Sequence, residues 1–342
     1  MLFVGGFLGA FLISLILTFV GTPLYERIGL VDIPDASRKK HAKVTAFGGG
    51  IGIILATLGT GAVMQWYSGH FTQGLITPRH LFGILLASVV ILVYGFLDDR
   101  HAVRPQIAIL GPFVVALITL WVGFDVSQVS HPFGGEIAVL PWISAIGVFI
   151  WMMVMMYSTK VADGVDGLVG SLGFVAATVI AVLAFTTKYF QPDVALMALI
   201  VAGAILGFLI FNWAPASIFL GEIGSVWIGY MIGILAIISG SKLLTALMVL
   251  ALPVTDLAFV MMRRVLSGAS VWKGDRLHLH HLLIDRGWRS ASIVGLYLCV
   301  SLILGGLSLI LQGWQKILIL ILLSLLIFSR FVIAWYAQRS KE

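Results

Sequence analysis

Apolar residues run through this chain in long blocks, and the short segments between them hold nearly all of its charge. A helix rising about 1.5 Å per residue needs roughly 20 apolar residues to cross a hydrocarbon layer of about 30 Å. Eleven blocks approach that length: residues 2–23, 47–66, 80–97, 107–124, 141–159, 166–186, 194–212, 223–240, 243–262, 291–312 and 315–336. None alternates apolar and polar side chains as a barrel strand does, and an open sheet edge in lipid would leave backbone groups unpaired. The pattern predicts an all-α, polytopic membrane protein, a single domain over residues 1–342.

Composition agrees. With 60% hydrophobic and 11% charged residues and a mean hydropathy of +1.08, the chain has too little polar material to coat a water-soluble globule of 342 residues. The first block has no basic stretch before it and exceeds the apolar core of a secretion signal, so it reads as a retained helix. The single cysteine, Cys299, excludes an intrachain disulfide. A net charge of +6 would suit nucleic acid, but the basic residues sit in short loops, where membrane orientation puts them, and no nucleic-acid partner is expected. Loops after odd-numbered blocks, with the C-terminal tail, carry sixteen Lys and Arg against four in the opposite loops. The positive-inside rule then sets the N-terminus outside and the C-terminus in the cytoplasm. Cytoplasmic loops at 24–46, 98–106, 159–167, 212–224 and 263–290 thereby gather ten of the fifteen Asp and Glu and five of the eight His on one face.

Five segments on that face carry candidate chemistry. Asp98 and Asp99 end a hydrophobic helix; adjacent carboxylates repel unless a cation or proton lies between them, though they could also simply mark the helix end. In Asp163-Gly164-Val165-Asp166-Gly167-Leu168, glycines allow a close backbone approach and each Asp can accept hydrogen bonds or ligate a metal, or the run is an acidic turn. The loop Phe211–Ser225 brings Asn212, Phe219 and Glu222 just ahead of a helix, and carboxylates at membrane depth require a hydrated cleft. Arg264, Arg276, His278, His280 and His281 lack the spacing of a zinc site and suit phosphate recognition, with a solvated basic loop as the plainer reading. Arg38, Lys39 and His41, followed by Gly48-Gly49-Gly50, are either an anion site or membrane anchors. Asp256 lies inside the ninth block with no evident partner.

In this order the motifs RKxH, GG, DD, DGxDGL, FNxxPAxxFxG and HxHH resemble the polyprenyl-phosphate N-acetylhexosamine-1-phosphate transferases, the family that includes WecA, TagO and MraY, from about Asp32 to Gly287. The run Asp275–His281 is similar to the WecA type rather than to the three consecutive histidines of MraY. The resemblance implies an enzyme of the bacterial inner membrane, with its site facing the cytoplasm. It would transfer a sugar-1-phosphate, GlcNAc-1-phosphate foremost, from a UDP-HexNAc to undecaprenyl phosphate, with release of UMP. Cell-wall or lipopolysaccharide glycan assembly would begin at that step. It also implies Mg²⁺, with Mn²⁺ as a substitute, contact with membrane lipid, and a homodimer. By the same resemblance Asp98 would orient or deprotonate the acceptor phosphate, and Asp99 and Glu222 would hold the metal. Asp163 would belong to the catalytic set, Asp166 would meet the uracil edge with Phe219 stacked on its face, and Arg276 and the histidines would bind phosphates. Three positions depart from the family pattern: Glu222 stands in place of Asp, Lys160 in place of Asn, and Ala108 near a common Lys. They keep open a MraY-like transferase of UDP-MurNAc-pentapeptide and a low-activity lipid-phosphate-binding relative.

Overall fold

The computed structural model describes residues 1–32, 44–130, 135–186, 190–240, 242–268, 270 and 277–339. Every apolar block is helical. The order is α1 (Leu2–Arg27), α2 (Gly49–Ser68), α3 (Pro78–His101), α4 (Pro105–Ala108), α5 (Leu110–Trp121), α6 (Pro141–Ala162), α7 (Leu168–Phe185), α8 (Pro192–Asn212), α9 (Gly221–Ile238), α10 (Leu243–Val249), α11 (Ala251–Leu266), α12 (Leu279–Asp285), α13 (Ser290–Ile310) and α14 (Gly313–Arg339). Among the described residues eight helices have the length and hydropathy of a membrane span, and the bent pair α10–α11 makes a ninth. Pro105–Trp121 is a shorter apolar helix, so the fourth of the eleven expected spans falls short, whereas α14, of 27 residues, covers the last.

Both interrupted blocks have the same cause. A proline lacks the N–H that would bond the carbonyl four residues earlier, and its ring crowds that carbonyl. Pro112 lies three residues beyond the break at Ile109, and Pro253 three beyond the break at Leu250, where the chain turns by 86°. The carbonyl of Val249, which Pro253 cannot serve, accepts instead from Ser301 Oγ of α13 at 2.9 Å. A freed backbone group at membrane depth is thus satisfied by a neighbouring helix.

Helix α9 is the axis of the bundle, with 94% of its spanning window enclosed by other helices. A helix apolar all round belongs in such a position. Glycine makes the close approaches: a Cβ on Gly50 of α2 would lie 2.2 Å from the Gly224 nitrogen, and one on Gly95 of α3 would lie 2.8 Å from Ile223 Cα. Small residues at helix contacts let backbones meet in lipid, where no hydrophobic force drives association. Trp227 Nε1 donates to Ser88 Oγ of α3 at 2.9 Å, and Trp151 Nε1 of α6 donates to the Gly233 carbonyl at 3.1 Å.

Two small antiparallel strand pairs, outside an all-α expectation, tie loops together. Val31–Asp32 (β1) pairs with Thr45–Ala46 (β2), and Gln128–Ser130 (β3) pairs with Glu136–Ala138 (β4) at the opposite end of the bundle. Ala46 also forms a parallel bridge to Ile218, and the Phe219 and Leu220 carbonyls accept from Gly49 and Gly50 at 3.1 Å each. The first amides of α2 are therefore spent on the chain itself and not held out to an anion.

Candidate active site

The packing of α3 and α6 against α9 brings the acidic motifs to one end of the bundle. Asp98 and Asp99 lie in the last turn of α3, not in the following loop, and Glu222 lies in the first turn of α9. Asp99 accepts from the Glu222 amide at 2.8 Å through Oδ1 and from the Ile223 amide at 3.5 Å through Oδ2. A carboxylate against the free amides and positive end of α9 is favourable, and it locks α3 to α9. Asp98 Oδ1 accepts from the Val103 amide at 2.9 Å, which turns the chain after α3.

Lys160, in the last turn of α6, enters the same cluster. Its ammonium and the Tyr94 hydroxyl both donate to Glu222 Oε1. The ammonium also donates to the Tyr94 oxygen at 3.3 Å, stands 3.8 Å from Asp98 Oδ2, and lies 5.7 Å from the Tyr157 ring centroid. Side-chain exposures of 24% for Lys160 and 9% for Glu222 mark a pair largely withdrawn from water, in which loss of either partner leaves an uncompensated charge. Tyr94 and Tyr157 carried no role in the sequence reading. The signal was their spacing, Tyr94 one turn before Asp98 and Tyr157 three residues before Lys160, on faces shared with a charged group.

Asp163 follows α6 directly. Burial, together with the Asp99, Glu222 and Asp166 carboxylates around it, holds its carboxyl well above the usual carboxylate range. Asp166 Oδ2 accepts from the Ala216 amide at 3.1 Å. Asn212 clamps the same two loops, accepting from Gly167 N at 3.0 Å and donating to the Ile218 carbonyl at 2.9 Å. Phe219 lies beside Phe47, ring centroids 6.0 Å apart.

The histidines approach from α12. Asp256 of α11 finds its partners here: His278 Nδ1 at 3.0 Å from Oδ2, and the Leu279 amide donating to Oδ1 at 2.9 Å. The 86° turn at Leu250 directs α11, and with it Asp256, to this contact. His280 packs against the acidic turn so closely that a Cβ on Gly164 would lie 2.6 Å from its Nε2. That nitrogen is buried and has no hydrogen-bond partner among the described residues. The His278 and His280 rings are parallel with centroids 5.9 Å apart, and His281 lies tilted by 47° against His280 at 4.2 Å. Arg264 sits in the last turn of α11. Arg38, Lys39, His41 and Arg276 lie outside the described residues. The structure therefore joins Asp98, Asp99, Asp163, Asp166, Glu222, Asn212 and the histidines, and it adds Lys160 and Tyr94.

Carboxylate oxygens are the donors that Mg²⁺ takes, yet this arrangement does not fit a resident ion. Among the described residues no three Asp, Glu or His side chains converge on one metal-sized point. Both Asp99 oxygens face α9 amides, and Glu222 Oε1 is held by Tyr94 and Lys160.

Fold and site together define a polytopic membrane protein with an acidic, lysine-bridged cluster at one end of a helical bundle. The chain belongs to glycosyl transferase family 4, whose profile matches residues 81–240. It is 31% identical over 90% of its length to a phospho-N-acetylmuramoyl-pentapeptide-transferase of Geobacillus kaustophilus, covering 96% of that protein. It is 29% identical over 81% of its length to a probable undecaprenyl-phosphate N-acetylglucosaminyl 1-phosphate transferase of Bacillus subtilis, covering 77% of that protein. To the undecaprenyl-phosphate alpha-N-acetylglucosaminyl 1-phosphate transferase of Escherichia coli K12 it is 27% identical, with 82% of this chain and 76% of that protein aligned.

Proposed function

We propose that the protein transfers N-acetylglucosamine-1-phosphate from UDP-N-acetylglucosamine to undecaprenyl phosphate, releasing UMP, at the cytoplasmic face of a bacterial inner membrane. The observation that carries this reading is the convergence of Asp98, Asp163, Asp166, Lys160 and His280 beside an open apolar groove lined by Ile51, Leu92, Val93, Phe96 and Leu97. Leu97 and Asp98 are adjacent in α3, so an apolar chain lying in that groove would present its phosphate at the acidic pair. A lipid phosphate oxygen attacks the sugar-bearing phosphorus and forms a new P–O bond. The anhydride P–O bond to the uridine-bearing phosphate breaks, and UMP leaves with that oxygen and its electron pair.

Such transfers rest on positioning and on stabilising charge spread over phosphate oxygens. Asp98 orients the incoming phosphate. Since that phosphate is already largely ionised near neutral pH, Asp98 has little proton to remove. Asp99 acts as a positioning residue by fixing the first turn of α9. Asp166 and Phe219 form the uridine end, and His278, His280, His281, Arg264 and Arg276 hold phosphates, with Arg38, Lys39 and His41 serving the lipid headgroup. Mg²⁺, or Mn²⁺ in its place, would be brought by the donor rather than held by the described carboxylates, and would supply charge neutralisation to the diphosphate.

The test supplies purified protein with Mg²⁺, undecaprenyl phosphate and labelled UDP-N-acetylglucosamine, and measures UMP together with lipid-linked sugar. Formation of both supports the assignment; no product from any UDP-HexNAc overturns it. The near full-length similarity to the Geobacillus protein favours UDP-MurNAc-pentapeptide as a second donor, and the same assay with that nucleotide separates the two.

A further inference from the structure

Lys160 and Glu222, two of the three departures from the family pattern, are direct partners, although 62 positions separate them in sequence. Asp at position 222 would end one methylene short, and Asn at position 160 would carry no charge. The two changes form one device. Resting on the transferase reading above, we propose that Lys160 is a tethered cation that takes the place of a divalent ion beside Glu222 and binds the diphosphate of a nucleoside diphosphate donor. An ammonium has three N–H donors. Glu222 Oε1 and the Tyr94 oxygen take two of them, and Asp98 Oδ2, at 3.8 Å, is too far for a third hydrogen bond. One N–H is left for a ligand. Tyr94 fixes Glu222 from the other side, and the Tyr157 ring lies beside the ammonium, so the charge is held in place before any ligand arrives. A side-chain cation cannot dissociate, whereas a divalent ion must be captured from solution with its water shell. Donor binding in this chain is therefore far less dependent on divalent metal than an all-carboxylate site would make it.

The experiment titrates UDP into the full-length protein in detergent, by calorimetry, in EDTA and in Mg²⁺. Wild type is expected to bind UDP in EDTA, with affinity rising less than about threefold on adding Mg²⁺, while Lys160→Gln loses at least about tenfold in EDTA. Lys160→Gln paired with Glu222→Gln removes both charges together and guards against misfolding of the single variant; it too is expected to lose metal-free binding. In a parallel titration by electron paramagnetic resonance, Lys160→Asn with Glu222→Asp is expected to bind Mn²⁺ about tenfold or more tighter than wild type, since it returns a carboxylate to the ion. UDP binding by wild type only in Mg²⁺, or equal Mn²⁺ affinity in wild type and that variant, overturns the tethered cation while leaving the transferase reading intact. Absence of UDP binding in both buffers overturns both.

Discussion

The two ends of the bundle use charge in opposite ways. At the Asp98 end, five carboxylates from three segments lie together, two of them, Asp98 and Glu222, beside the Lys160 ammonium, and burial with its acidic neighbours holds the Asp163 carboxyl well above the usual carboxylate range. At the other end three charged groups tie the chain through neutral partners. Asp193, in the first turn of α8, accepts from the Ile76 amide at 2.8 Å. Lys242 donates to Gln191 Oε1 at 2.6 Å, and Lys316 to Thr245 Oγ1 at 3.1 Å. Charges bound to neutral partners hold structure, whereas carboxylates forced together repel one another unless a proton or a cation lies among them.

Four measurements would break or sharpen this contrast. Asp98→Asn, which leaves its turn-forming acceptor in place but removes the charge that orients the incoming phosphate, is expected to lower the rate of UMP release by on the order of 10²-fold with little change in melting temperature. A comparable loss of stability would make Asp98 a structural residue like Asp193. Gly50→Ala places a Cβ against the Gly224 backbone, and the resulting overpacking should cost up to about 3 kcal/mol in a detergent melt, with activity falling in parallel. Asp193→Ala removes the Ile76 hydrogen bond and should cost about 1.5 kcal/mol while leaving turnover per folded molecule unchanged; an altered turnover would erase the difference between the ends. The smallest effect is a pH dependence. Burial, with His281 and His278 alongside, holds His280 well below the ordinary histidine value, so the fold favours its neutral ring. Between that lowered value and the unfolded value of about 6.5 the unfolded chain binds the extra proton, so stability falls as pH drops below about 6.5. His280→Gln should flatten that limb of a melting-temperature profile.

Much of the fold was written in the apolar blocks, because length and hydropathy decide whether a helix can cross lipid. The breaks at Ile109 and Leu250 were also in the sequence, as Pro112 and Pro253, but each lies inside a run whose hydropathy never falters. Hydropathy measures transfer to lipid and is blind to a missing N–H. In the site, Asp98, Asp163, Asp166 and the histidines could be named from their motifs. The Lys160–Glu222 contact could not, nor the His278–Asp256 contact, because each pairs residues from separate helices whose approach is set by packing. Glu222 was expected to face a metal, and what it meets is the Lys160 ammonium.

The glycine contacts around α9 have a consequence for the membrane itself. A bilayer that thins or thickens acts on helices that touch lipid, which tilt or bend to match it. Helix α1, with 22% of its spanning window enclosed, meets that stress directly, whereas α9 is wrapped along almost its whole length. Because Gly50 and Gly95 bring α2 and α3 against the first turns of α9, thickness changes reach Glu222 only after those outer helices have yielded. Glu222 is thereby cushioned from the lipid composition around the protein, while Asp98 and Asp99, on α3, and the apolar groove beside Leu97 stay coupled to that same lipid.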